Sequence, residues 1–210
     1  MDKPQPDHIS LTDFLTWEQQ QTERHEWIDG SIVLFAGVSY EHSMISQNLG
    51  TLFDAAVGDG PCTVHRSDRQ LVPRDNLNND LGSFYADVFV SCGPEDRTGS
   101  SAHFPSVVVE VLSDHIGNEF TSKMRAYTQL AKIADYLIIE SSTQFIHRYS
   151  WKTDTNGKRR LMVCQQRRGP VAVPFLGLTL SFEQIYAKTS VPVILHRVAD
   201  EEETEIVIGE

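Results

Sequence analysis

The stretch from Ser106 to Tyr127 constrains this chain most, because it sets a carboxylate inside an apolar strand. Val107, Val108, Val109, Val111 and Leu112 make a short run that is apolar on both faces and rich in β-branched residues. Such a run predicts a strand buried in the middle of a sheet. Glu110 is the one charge inside it. An ionised carboxylate removed from water costs on the order of several kcal/mol unless a cation or several donors meet it. Two partners are available: a metal ion, or a lysine such as Lys123. Asp87 stands in the same predicament on an earlier apolar run, Phe84 to Val90.

The rest of the chain supplies what such a pair needs. At 210 residues it has the length of one domain with a substantial core. The opening residues lack the apolar core of a secretory signal, and no run approaches the roughly 20 apolar residues of a membrane helix. Cys62, Cys92 and Cys164 lie far apart with no Cys-x-x-Cys pair, which argues against a disulfide framework or zinc knuckle. A reducing cytoplasm is the expected setting. The net charge of −11 counts against a non-specific nucleic-acid coat, although a local basic patch and a bound divalent ion can reverse the sign at a site. The acidic run Asp200 to Glu205 reads as a solvated surface segment.

Periodicity places the elements. A short helix is predicted near 11–22, opening on Ser10. Glu26-Trp27-Ile28 and Ser31 to Phe35, joined by Asp29-Gly30, form a hairpin with Glu26 and Ile28 on one face. From 41 to 57, Ile45, Leu49, Leu52, Phe53 and Ala56 recur at helical spacing, with His42 at the first turn of the buried face. On sequence alone that histidine reads more readily as a core-edge residue than as a site residue. Strands are expected at 62–66, 69–73 and 84–91, the last carrying Asp87. A loop follows at 92–105, long enough to move over a site. After the Glu110 strand, a helix over 119–132 turns Phe120, Met124, Tyr127 and Leu130 inward and lets Lys123 reach in from its first turn. Further strands are expected at 136–139, 144–151, 160–165, 191–197 and 205–208, with a short helix after Ser181.

Two strand carboxylates hold a hard divalent cation through oxygen, leaving positions for water and a substrate phosphate, and a nearby lysine neutralises the transition state. By residue type alone, a structural ion pair and a catalytic centre are evenly matched. Five stretches add to this: Glu26 to Gly30, His42, Ala86-Asp87-Val88, Val109 to Ser113, and Lys123-x-x-x-Tyr127 followed by Asp135 to Ile139. In order and spacing the chain resembles, from about residue 10 to 186, the Uma family of the restriction-endonuclease-like superfamily. The resemblance implies an α/β fold, of the mixed α+β kind, in one domain spanning 1–210. Its core would be a central mixed sheet flanked by helices, with an N-terminal helix-hairpin extension and a C-terminal addition from about 190. It also implies hydrolysis of DNA phosphodiester bonds dependent on Mg2+ or Mn2+, with Asp87 and Glu110 as metal-binding acids and Lys123 as the lysine, here supplied from a helix. Glu26 and His42 match further polar positions of the same pocket. Leu112 stands where classical members place lysine, and Ala86 where proline is common. DNA is the partner expected, through Arg66, Arg69 and Arg74, with a homodimer as the assembly to test and no membrane. The alternatives are a catalytically inactive nuclease-fold module for DNA binding or interaction, and a metal hydrolase of small phosphoesters. The set of polar positions speaks against the first, and an open groove would speak against the second.

Overall fold

The computed structural model describes residues 8–35, 37–112, 118–130, 133–157, 159–193 and 201–206, the side chains of 118–120 and 201–206 excepted. Helix α1 (Leu11–Glu18) leads into a hairpin of β1 (His25–Ile28) and β2 (Ser31–Leu34), and then into helix α2 (Tyr40–Val57). β3 (Thr63–Arg66), β4 (Gln70–Leu71), β5 (Val88–Ser91), β6 (Ser101–Ala102) and β7 (Pro105–Leu112) follow. Helix α3 (Asn118–Thr128) lies between β7 and β8 (Asp135–Glu140). β9 (Ile146–Thr153), β10 (Arg159–Gln166), β11 (Val171–Val173), β12 (Leu178–Leu180), helix α4 (Phe182–Ile185) and β13 (Glu201–Ile206) complete the order.

Seven of these strands form one mixed sheet in the order β13-β10-β9-β8-β7-β5-β3. Only the central β7–β8 pair is parallel, and α3 lies between its strands in the chain, as a parallel connection requires. β7 is buried along nearly its whole length, as its unbroken valines demand. One face packs Val107, Val109, Val111, Leu137 and Ile139 against Ile45, Leu49 and Phe53 of α2. On the other, Val108, Tyr136 and Ile138 pack with Ala126, Tyr127 and Leu130 of α3 and Ile28 of the hairpin. Ser39 caps α2, its hydroxyl accepting from the His42 amide. The hairpin turns at Asp29 (φ 48°) and Gly30 (φ 92°), the two left-handed positions that an Asp-Gly pair is suited to occupy.

The mixed sheet flanked by helices matches the expected architecture, with local corrections. The strand expected at 84–91 begins only at Val88, because the residues before it spend their backbone groups elsewhere. Trp27 donates to the Ser83 carbonyl, Leu71 and Phe84 exchange bonds, and the Tyr85 amide donates to Glu26. The segment 92–105 is not one long loop, since it holds a short 3-10 helix at Pro94–Arg97 and the strand β6 paired with β4. It is tied down by the Asp96 carboxylate, which accepts from the amides of His103 and Phe104. The acidic run is not merely a solvated segment: β13 pairs antiparallel with β10, Glu203 opposite Cys164. Finally, Cys62 and Cys92 are joined in a disulfide, contrary to the expectation from their separation in sequence. The ladder sets Thr63 opposite Ser91, so the two cysteines meet one step beyond. The helix expected at 11–22 ends at Glu18, and that at 119–132 ends at Thr128. Residues 131–132, 194–197 and 207–208 of the expected elements lie outside the described residues.

The bridge closes a loop of 30 residues, so the chain-entropy account expects its removal to cost roughly 3–4 kcal/mol. Urea unfolding of the oxidised protein against a Cys62→Ser/Cys92→Ser variant measures this. Coincident transitions would contradict the pairing.

Candidate active site

Four elements meet at one end of the central strands. The register pairs Val88 with Val109, so Asp87 stands opposite Glu110 one step beyond the ladder. Both share the α3 face, because Asp87 is two residues from Phe89 and Glu110 two from Val108, and that pair packs with α3. Directly opposed residues of this kind carry Cβ atoms about 5 Å apart. The Val111 amide donates to Asp87 Oδ2 at 2.7 Å, and His42 Nε2 from the first turn of α2 lies 3.2 Å from the same oxygen. Glu110 Oε1 accepts from the Tyr127 hydroxyl at 3.0 Å. Lys123, one helical turn before Tyr127, places Nζ 2.7 Å from Glu26 Oε1 and 3.5 Å from Glu110 Oε2. Glu26 Oε1 also accepts from the Tyr85 amide at 2.7 Å. Lys123 is itself located by its neighbours on α3, since Ser122 and Arg125 both donate to Asp29 in the hairpin turn, each at 2.7 Å.

The electrostatics follow from burial. Glu26, Asp87 and Glu110 are all less than a tenth exposed, and among the described residues Lys123 is the one lysine in contact with Glu26 and Glu110. Burial pushes the Glu110 carboxyl up to about 8 against the pull of Lys123, and the charges of Asp87 and Glu26 add to the rise. Burial alone would lower the Lys123 ammonium, but Glu110 and Glu26 outweigh it and hold the group above its ordinary value, so it stays charged at neutral pH. Burial, followed by the Glu110 charge, raises the Tyr127 phenol, which therefore remains a donor. Two orphaned atoms flank the cluster. His42 Nδ1 and the Tyr136 hydroxyl are buried without a hydrogen-bond partner among the described residues. Nε2 of His42 faces the Asp87 carboxylate, which leaves Nδ1 as the ring nitrogen without a partner among the described residues.

All five residues expected at the site, Glu26, His42, Asp87, Glu110 and Lys123, thus converge. Sequence reasoning missed the bond from Tyr127 to Glu110, although the four-residue step from Lys123 puts both side chains on one helix face. It also missed the Asp29 contacts, which no local signal announces. The arginines expected to meet DNA are committed within the chain. Arg66 pairs with Asp54 at 2.6 Å, Arg69 donates to the carbonyls of Asp96 and Ser101, and Arg74 pairs with Asp80 at 2.6 Å. The fold brings each of these arginines an acid or a carbonyl, and a count of cations cannot reveal that.

Among the described residues no three His, Cys, Asp or Glu side chains form a ready-made metal cage. Two opposed carboxylates with an excess of buried negative charge fit a different mode. A hard cation such as Mg2+ keeps several waters and takes one or two protein carboxylates plus substrate phosphate. Asp87 and Glu110 are the residues that fit it.

A family model described as "Uma2: Putative restriction endonuclease" matches residues 11–183. The uncharacterized protein slr1290 of Synechocystis is 31% identical over 180 residues, covering 85% of this chain and 91% of that protein. The uncharacterized protein sll1609 of the same organism is 31% identical over 144 residues, covering 67% of this chain and 77% of its own length. A crystal structure described as a "putative nuclease belonging to DUF820" from Anabaena variabilis superposes with a TM-score of 0.65 at 17% identity. It covers 85% of this chain and 98% of that one, a likeness of fold.

The raised Glu110 carboxyl makes a pH prediction for the metal-free protein. The folded state holds that proton more tightly than the unfolded chain, so the group's stabilising effect is complete below about 4.5 and is lost as pH climbs through about 8. Glu110→Gln keeps the bond from Tyr127 and removes the slope, leaving the variant about 1–3 kcal/mol more stable than wild type above that range. Parallel stability profiles of the two proteins in chelator would contradict it.

Proposed function

The chain belongs to the Uma2 family, and on that premise we propose that it is a divalent-metal-dependent endonuclease that hydrolyses phosphodiester bonds of DNA. The observation that carries this reading is the surplus of buried acid: Glu26 and Glu110 contact the one Lys123 ammonium, and the buried Asp87 stands opposite Glu110. A purely structural ion pair has no use for that surplus, since each added buried carboxylate raises the cost of ionising the others. No described helix is long and apolar enough to cross a membrane.

In this reading Asp87 and Glu110 hold Mg2+ or Mn2+, which supplies Lewis acidity at the phosphoryl oxygen and an acidified water. The chain's own residues do the positioning. His42 and the Val111 amide fix the Asp87 carboxylate from two directions, and the Tyr127 hydroxyl fixes Glu110. Lys123 sets a full positive charge where charge builds on the phosphoryl oxygens, and Glu26 holds that ammonium in place. Two copies would present one such centre to each strand of a duplex, so a homodimer is the assembly this reading expects.

The test incubates duplex and single-stranded DNA with wild type, Asp87→Asn, Glu110→Gln and Lys123→Met in Mg2+, Mn2+ and Ca2+. Wild type should cleave with the first two metals and little with Ca2+, whose looser shell positions water poorly. Each variant should lose at least about a hundredfold in rate while binding DNA at modest salt. Equal cleavage by wild type and Glu110→Gln would assign the activity elsewhere. No cleavage by wild type in any metal would favour the catalytically inactive module.

A further inference from the structure

We propose that Lys123 is a built-in counter-ion that competes with the divalent cation for Glu110, and that Glu26 is its anchor rather than a metal ligand; the inference rests on the metal-dependent reading above. The two contacts of the ammonium are unequal. At 2.7 Å it donates a hydrogen bond to Glu26 Oε1, whereas Glu110 Oε2 at 3.5 Å is an ion-pair contact only. Glu26 Oε1 is itself pinned by the Tyr85 amide, so Glu26 is a fixed post on the hairpin. Glu110 is shared differently. Tyr127 uses Oε1, and the lysine faces Oε2. Oε2 is therefore the oxygen for which ammonium and metal contend.

The surrounding contacts suit an exchange. Ser122 and Arg125 tie α3 to Asp29 on both sides of Lys123, so the lysine's backbone stays put while its side chain shifts its weight between two acids. Without metal the ammonium offsets part of the buried acid. With metal bound, charge on Glu110 is met by the cation, and the ammonium is retained by Glu26. Two ligands for one charge are coupled reciprocally: whatever weakens one strengthens the other. The same exchange keeps the lysine beside the reacting phosphate without a strand position for it, Leu112 occupying that place.

The experiment is Mn2+ titration of the metal-free protein without DNA, followed by calorimetry and by the paramagnetic signal of unbound Mn2+, with melting curves in chelator and in Mn2+. Lys123→Met should melt lower than wild type in chelator, bind Mn2+ at least about tenfold more tightly, and gain more in melting temperature on adding it. Glu26→Gln, which leaves the ammonium with Glu110 alone, should bind Mn2+ about tenfold more weakly. That loss should largely vanish in the Lys123→Met background, because Glu26 acts through the lysine. Unchanged or weaker binding by Lys123→Met, with wild type binding Mn2+, overturns the competition and leaves the metal reading standing. A Glu26→Gln loss that persists without the lysine makes Glu26 a ligand and overturns its anchor role. No binding by any of the proteins overturns both the competition and the metal reading. Binding confined to Lys123→Met supports the competition and counts against metal use by the native chain. If Lys123→Met does not fold even with Mn2+, the Glu26→Gln titration decides, and unchanged or tighter binding overturns the proposal.

Discussion

Three buried carboxylates at one end of the sheet, two of them in contact with one ammonium, are the feature that the rest of the structure serves. Glu110 cannot leave the sheet, because β7 is the strand through which both cores are built. Its charge must be met from outside the sheet, and three elements exist at that end to do so. α3 brings Lys123 and Tyr127, the hairpin brings Glu26, and α2 brings His42 to the facing Asp87. Lys123, Glu26 and Tyr127 are each held by a second contact, so this part of the cluster is set before any ligand arrives. That is the condition under which fixed charge contributes most to a reaction.

Moving the lysine from strand to helix changes how the site is controlled. A lysine on β7 would be as rigid as the sheet. On α3 its position depends on the hairpin, through Glu26 to its ammonium and through Asp29 to Ser122 and Arg125. The hairpin is thus part of the proposed machinery rather than an appendage. Leu112 meanwhile packs at the margin of the α3-side core, where an ammonium would have stood in an apolar setting.

Much of this was legible because it is local. The valine run, the Asp29-Gly30 turn and the three-and-four spacing of Ile45, Leu49 and Phe53 each specify an element by short-range physics. Glu110 announced itself by standing charged in a run that had to be buried. What failed is non-local. The late start of β5 comes from backbone bonds to a hairpin more than fifty residues earlier, as in Tyr85 to Glu26. The Cys62–Cys92 bridge depends on strand register, and the commitments of Arg66, Arg69 and Arg74 depend on which acids and carbonyls the fold brings to them. The acidic C-terminal run was misread for a related reason. Charge patterning speaks of side chains only, and it does not reveal that the backbone of this run pairs with β10.

The central claim is that Asp87 and Glu110 together hold a divalent cation, and the most direct measurement is anomalous scattering from crystals soaked in Mn2+. The account predicts one peak between the two carboxylates, about 2.1–2.2 Å from an oxygen of each, with Lys123 Nζ still hydrogen-bonded to Glu26. A Mn2+ peak elsewhere on the molecule, or none at concentrations that saturate binding in solution, would contradict it.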